Sequence, residues 1–171
     1  MPTPREQPLD VLDLAAKGEV VERQFPIAGF GRLRDRLAEP GGSAQMQLAL
    51  QMIDGTPSGV LRLNAGVVLE CQRCLRPVRR TLESASRLAF VARDDATRPA
   101  DHEPIVGDPR RLDLAALVED ELLLAVPLIA THAPGEACRL PAEAAARAPE
   151  PAAAVQEMRR PFAGLKDLLK H

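Results

Sequence analysis

The clearest signal in the chain is a two-residue alternation of apolar and polar side chains. Met46, Leu48, Leu50 and Met52 share one face of an extended segment while Gln45, Gln47 and Gln51 share the other, which predicts a strand over 45–52. Asp54-Gly55-Thr56-Pro57-Ser58-Gly59 supplies a turn, and Leu61, Leu63, Ala65, Val67 and Leu69 then alternate with Arg62, Asn64 and Glu70. A second strand is predicted over 60–70. Val78, Leu82, Leu88 and Phe90 continue the pattern, imperfectly, against Arg79, Thr81, Glu83 and Arg87, which predicts a third strand over 78–91. A shorter apolar run predicts one more over 20–25. The tight connection between the second and third of the long strands contains two cysteines, Cys71 and Cys74.

Elsewhere the spacing turns helical. Asp10 can cap a helix over 10–17 that ends at Gly18, a residue that tolerates positive φ. Phe30, Leu33 and Leu37 at i, i+3 and i+7 predict a helix over 30–38. Leu114, Leu117, Val118, Leu122 and Ala125 predict another over 113–126, with Asp113 as cap and Pro127 as stop. Residues 92–104, with Asp94, Asp95, Asp101 and Glu103 among Pro and Ala, read as a solvated loop. The pattern as a whole predicts an α+β domain over 1–140 with a central antiparallel sheet. An Ala/Pro-rich linker over 141–160 follows, then a helix over 161–170 whose Phe162, Leu165, Leu168 and Leu169 form an apolar stripe suited to docking back on the domain.

Composition narrows the function classes. With 171 residues there is room for one domain of moderate size, and 46% hydrophobic residues suffice for a core. Lys+Arg 22 against Asp+Glu 24 gives a net charge of −2, so no global positive field draws the chain to nucleic acid or to anionic membranes. Any RNA contact has to come from a local patch. The chain has no Trp, no Tyr and 4 Phe, too few rings for a sheet that stacks bases on aromatics. No signal-like or membrane-length apolar run is visible, so a soluble cytoplasmic protein is expected.

Three cysteines form an odd set, which speaks against a disulfide framework. The Cys71-Gln72-Arg73-Cys74 spacing lets two thiolates reach one tetrahedral metal ion, but a single pair is half a site. His132 and Cys138 lie together downstream and would complete a Cys3His set for zinc. The alternative is a pair of reduced thiols in a hairpin turn. Thiol redox catalysis is the weaker reading, because such motifs open a helix inside a βαβ unit rather than joining two antiparallel strands.

Around this turn Arg73, Arg76, Arg79, Arg80 and Arg87 make the hairpin locally cationic. Phosphate contact is the functional reading, and a solvated face whose arginines pair with nearby acids is the alternative. Glu119-Asp120-Glu121 on the best helix cannot all face a core, so Asp120 is expected in solvent and Glu119 or Glu121 against an arginine of the sheet. No nucleophile elbow, metalloprotease helix or phosphate-cradling glycine loop is present, no catalytic residues can be named, and no small-molecule substrate is evident. A non-enzymatic protein is expected.

Several stretches together resemble one bacterial family, YceD, the large ribosomal RNA subunit accumulation proteins. They are Leu69-Glu70-Cys71-Gln72-Arg73-Cys74, the run from Leu112-Asp113-Leu114 through Val118-Glu119-Asp120-Glu121-Leu122 to Pro127, His132 with Cys138, and Pro161-Phe162-Ala163-Gly164-Leu165. The resemblance implies a role in the synthesis, processing or stability of 23S rRNA. It brings no established catalytic residues, so the cysteines, His132 and Glu119 to Glu121 are motif positions without an assigned role. The resulting expectation is a non-catalytic ribosome biogenesis factor that meets precursor 23S rRNA, or a large-subunit ribosomal protein, through Arg73, Arg76, Arg79 and Arg80. A zinc-stabilised protein-interaction module without RNA contact and an rRNA-processing enzyme are the alternatives.

Overall fold

The computed structural model describes residues 7–94, 96–133 and 138. The chain divides into two units, Met1–Arg139 and Leu140–His171, and all of the second lies outside the described residues. So do the expected linker over 141–160 and the helix over 161–170 with its docking.

The described part runs α1 (Val11–Lys17), β1 (Val20–Pro26), a 3-10 turn (Ile27–Gly29), α2 (Gly31–Arg34), β2 (Ser43–Ile53), β3 (Thr56–Glu70), β4 (Pro77–Val91), β5 (Glu103–Val106) and α3 (Leu114–Ala125). The strands form one sheet in the order β1-β2-β3-β4-β5. Each neighbouring pair from β1 to β4 is antiparallel, and for β2–β3 and β3–β4 the short connections require it. Register carries the alternation across the sheet: Val21 lies opposite Leu48, Leu48 opposite Leu61, and Ala65 opposite Leu82. All five are buried. A slip of one residue would turn this apolar row to solvent, so burial of one face fixes the pairing.

The helices cover that apolar face, α1 against β2 and β3, α3 against β3 and β4, and α2 against α3. Asp10 caps α1 by accepting from the Asp13 N–H at 3.0 Å, and Gly18 closes it in the left-handed conformation. Asp113 caps α3 through the Ala116 N–H at 3.0 Å. The opposite face of the sheet carries Gln24, Gln45, Gln47, Asn64 and Arg62 in solvent.

Two expectations need correction. The sheet is mixed rather than antiparallel, because β5 lies parallel to β4, with Leu88 opposite Glu103 and Phe90 opposite Ile105. The loop expected over 92–104 hid this strand: four residues containing Pro104 are too few for an alternation signal. The helix expected over 30–38 is a single turn. Phe30 and Leu33 are buried as their spacing implied, but the Ala38 N–H goes to the Val68 carbonyl at 2.8 Å and Glu39 bridges to Val68, so the sheet claims the backbone that would have extended the helix.

Candidate metal centre and nucleic-acid interface

Between Glu70 and Pro77 the chain makes a knuckle. The Cys71 N–H donates to the Arg76 carbonyl at 2.9 Å and the Leu75 N–H to the Cys71 carbonyl at 2.7 Å. Leu75 takes φ +59, left-handed backbone that a non-glycine residue adopts only in a demanding turn. Beyond α3, the chain returns to the same end of the molecule and is held there by its carbonyls. Gln72 donates from its backbone to Ala130 at 2.9 Å and from its side chain to Leu128 at 3.0 Å, and the Arg80 guanidinium donates to the Thr131 carbonyl. Those bonds bring His132 over the knuckle.

Cys71, Cys74, His132 and Cys138 thereby converge, and one ligating atom from each lies within 4.8 Å of the others. Cys71 Sγ is 3.7 Å from Cys138 Sγ, and Cys74 Sγ is 3.4 Å from His132 Nδ1. A tetrahedral ion with metal–sulfur bonds of about 2.3 Å holds its sulfurs about 3.8 Å apart, so the spacing fits a single ion. The far nitrogen of His132, Nε2, sits 3.2 Å from the Pro77 carbonyl. A carbonyl only accepts, so the neutral ring carries its proton on Nε2 and turns the Nδ1 lone pair toward the sulfurs, the arrangement a metal-bound imidazole needs. Three thiolates around a divalent ion leave one surplus negative charge, and Arg73 Nε donates to Cys138 Sγ at 3.0 Å to offset it.

Two of the three thiols are tuned toward the thiolate, and the third is not. Burial opposes ionisation of Cys71, but the N–H groups of Cys74, Arg73 and His132 and the His132 ring outweigh it and hold the thiol down at about 5. For Cys74 burial is again outweighed, here by the backbone and side chain of Arg76 and by Cys138, and its pKa falls. Cys138 goes up, because burial exceeds the pull of Arg73. His132 goes up through its bond to Cys71. These four residues can hold a metal ion.

The expected arginine cluster is divided among separate tasks. Arg73 bonds Cys138, the side chain of Arg76 faces Cys74, and Arg80 clasps the returning loop. Arg87 pairs with Asp101 at 2.5 Å, away from the knuckle. Arg79 lies on the open face of the sheet, opposite Val68.

The acidic triplet likewise disperses. Glu119 Oε1 accepts from the backbone N–H groups of Arg32 and Leu33 at 2.7 and 3.1 Å, and its Oε2 meets the Arg32 guanidinium at 3.1 Å. Asp120 pairs with the same guanidinium at 2.6 Å from the solvent side, as its expected exposure allows. Glu121 is buried and accepts from Ser84 Oγ and Ser86 Oγ at 2.9 and 2.6 Å. The expected arginine of the sheet is therefore replaced by Arg32 of α2 and by two serines. Sequence reasoning missed Arg32 altogether, and Ser84 and Ser86 left one sign: they are what makes the third long strand alternate imperfectly. Among the described residues no helix is long and apolar enough to cross a membrane.

Fold and site together define a small α+β domain whose central hairpin ends in a Cys3His cluster. The sequence pattern of one family, described as "Large ribosomal RNA subunit accumulation protein YceD", matches residues 60–169, and the chain belongs to that family. That span contains the knuckle, the acidic triplet, His132, Cys138 and the Pro161 to Leu165 stretch. The large ribosomal RNA subunit accumulation protein YceD of Haemophilus influenzae is 39% identical over 85 residues. The aligned stretch covers 48% of this chain and 48% of that protein, about half the length of each. No solved structure matches the chain.

Proposed function

We propose that this chain is a non-catalytic, cytoplasmic factor in the accumulation of large-subunit ribosomal RNA, which holds zinc at the tip of the β3–β4 hairpin and meets precursor 23S rRNA through that hairpin. The observation that carries this reading is the convergence of Cys71, Cys74, His132 and Cys138 within 4.8 Å at the tip of an arginine-bearing hairpin, in a chain of this family. Zinc is the ion that three thiolates and an imidazole in a tetrahedron select. With four protein ligands the ion keeps no open position for water, which supports a structural role over a hydrolytic one. The carboxylates of Glu119, Asp120 and Glu121 are each engaged by other partners, which supports the same view.

A second reading, a zinc-stabilised protein-interaction module without RNA contact, is favoured by one feature. Leu128 and Ile129, on the loop pinned to the knuckle, are 95% and 69% exposed, and Leu124 at the end of α3 is 79% exposed. The test is the ratio of 23S to 16S rRNA and the profile of ribosomal particles in cells lacking the gene, complemented with the wild type or with Cys71→Ser/Cys74→Ser. The expected result is a fall in 23S rRNA that the wild type restores and the double variant does not. A normal ratio in the deletion strain would refute the assignment to large-subunit RNA.

A further inference from the structure

The open face of the sheet holds a groove of about 480 Å³ at the knuckle end, between the segment preceding β2 and the start of β4. Two opposite charges line it. Glu39 bridges to Val68, and Val68 pairs with Arg79, so the two residues stand two strand spacings apart, roughly 10 Å between Cα positions. Neither side chain makes a hydrogen bond or ion pair with a described residue, although both are exposed. The next pair on this face of the sheet is Gly66 with Thr81, and Gly42 lies close against the Gly66 backbone. A Cβ at residue 42 would stand 2.9 Å from the Gly66 carbonyl, and residue 42 has φ +100, so glycine is required there. At Gly66 the reverse holds: a Cβ would meet nothing within 4 Å, and the glycine leaves an open floor.

We infer that this groove binds the ribose-phosphate backbone of RNA, with Arg79 and Thr81 on a phosphate and Glu39 accepting from a ribose 2′-hydroxyl. The inference rests on the reading that the hairpin meets rRNA, and it names the part of the hairpin that does so. Arg73, Arg76 and Arg80 are turned to the cluster and its loop, whereas the Arg79 fork is available for two parallel bonds to phosphate oxygens. A carboxylate is a poor neighbour for a phosphate but a good acceptor for a hydroxyl donor, and the 2′-hydroxyl is the group that distinguishes RNA from DNA. Phe25, Phe30 and Phe90 are buried, so none of them offers a ring for stacking bases. Among the described residues this favours recognition of the backbone over stacking on bases.

The test is fluorescence anisotropy of the zinc-loaded full chain with labelled oligouridylate and with its 2′-deoxy counterpart, for the wild type and for Arg79→Ala, Gly66→Val, Glu39→Ala and Arg62→Ala. Arg79→Ala should weaken RNA binding about three- to tenfold and reduce the slope of log affinity against log salt by about one. Gly66→Val, whose side chain fills the floor, should weaken both ligands, and Glu39→Ala should bring the RNA-to-DNA affinity ratio close to one. Unchanged melting temperature and zinc content keep these results apart from misfolding. If the wild type binds RNA and Arg79→Ala and Gly66→Val bind it equally well, or if only Arg62→Ala loses binding, the groove is refuted while the rRNA reading stands. If the wild type prefers neither ligand, the role of Glu39 is refuted. If the wild type binds no RNA, the groove and the rRNA reading of the hairpin fall together.

Discussion

The knuckle at the hairpin tip and the acidic triplet of α3 are both dense polar motifs in the part of the chain that matches the family, and they resolve in opposite ways. At the knuckle, four donor atoms from three stretches of chain converge until Cys71 and Cys138 stand 3.7 Å apart, and the surrounding N–H groups and arginines support their negative charge. At the triplet, three consecutive carboxylates diverge. Glu119 is absorbed by the backbone of α2, Asp120 by the far side of Arg32, and the buried Glu121 by two half-buried hydroxyls. The lesson concerns leftover bonding capacity. A cluster is a candidate site when its lone pairs aim at a shared point, and a fold fastener when each is already used by a neighbour.

The largest effect should come from the knuckle. The purified protein is expected to contain about one zinc per chain, and removing it with a chelator, or replacing Cys71 and Cys74 by Ser, should lower Tm by on the order of 10 °C, because a site assembled from separate segments ties metal binding to folding. A protein without metal, whose melting curve is the same in chelator, would reduce the knuckle to a pair of thiols and erase the contrast with the triplet.

The triplet should respond next, and with no change in metal content. Glu121→Leu leaves the half-buried Ser84 and Ser86 hydroxyls without the carboxylate they donate to, an expected cost of about 1–2 kcal/mol by urea unfolding. Adding Ser84→Ala and Ser86→Ala should recover most of that loss, since the penalty lies in the unmatched partners rather than in the missing carboxylate. A triple variant as unstable as the single one would mean that Glu121 does something beyond fastening α3 to β4.

Much of this architecture was readable from period and caps. The alternation through Met46, Leu48, Leu61, Leu63 and Leu82 set the three long strands and a short apolar run set β1, while Asp10, Gly18 and Asp113 set the ends of two helices, because these signals depend on a few adjacent residues. The failures were non-local. β5 is a strand only because β4 offers an edge, and the helix begun at Gly31 does not reach residue 38 because the Val68 carbonyl takes the Ala38 N–H. The cluster was half legible. Cys71 and Cys74 announce themselves by spacing, and the structure adds the path by which Gln72 and Arg80 draw His132 to them. Arg32 was invisible, since its role exists only once α2 and α3 pack together.

The smallest effect separates two descriptions of that last contact. Arg32 bonds both Glu119 and Asp120, and the three look like an ion-pair network, yet the Arg32 and Asp120 side chains are each 57% exposed. Solvent-exposed pairs contribute little, because water and salt screen them and two long side chains must be held still. The other half of the contact is different in kind. Glu119 is 13% exposed and its Oε1 serves two backbone N–H groups that have no acceptor within a helix as short as α2. Glu119→Ala should therefore cost about 1–2 kcal/mol, as loss of a helix cap does, while Arg32→Gln should leave the urea midpoint where it is at moderate salt. Equal losses in the two variants, disappearing together as salt is raised, would show that the charges and not the cap hold α2 against α3.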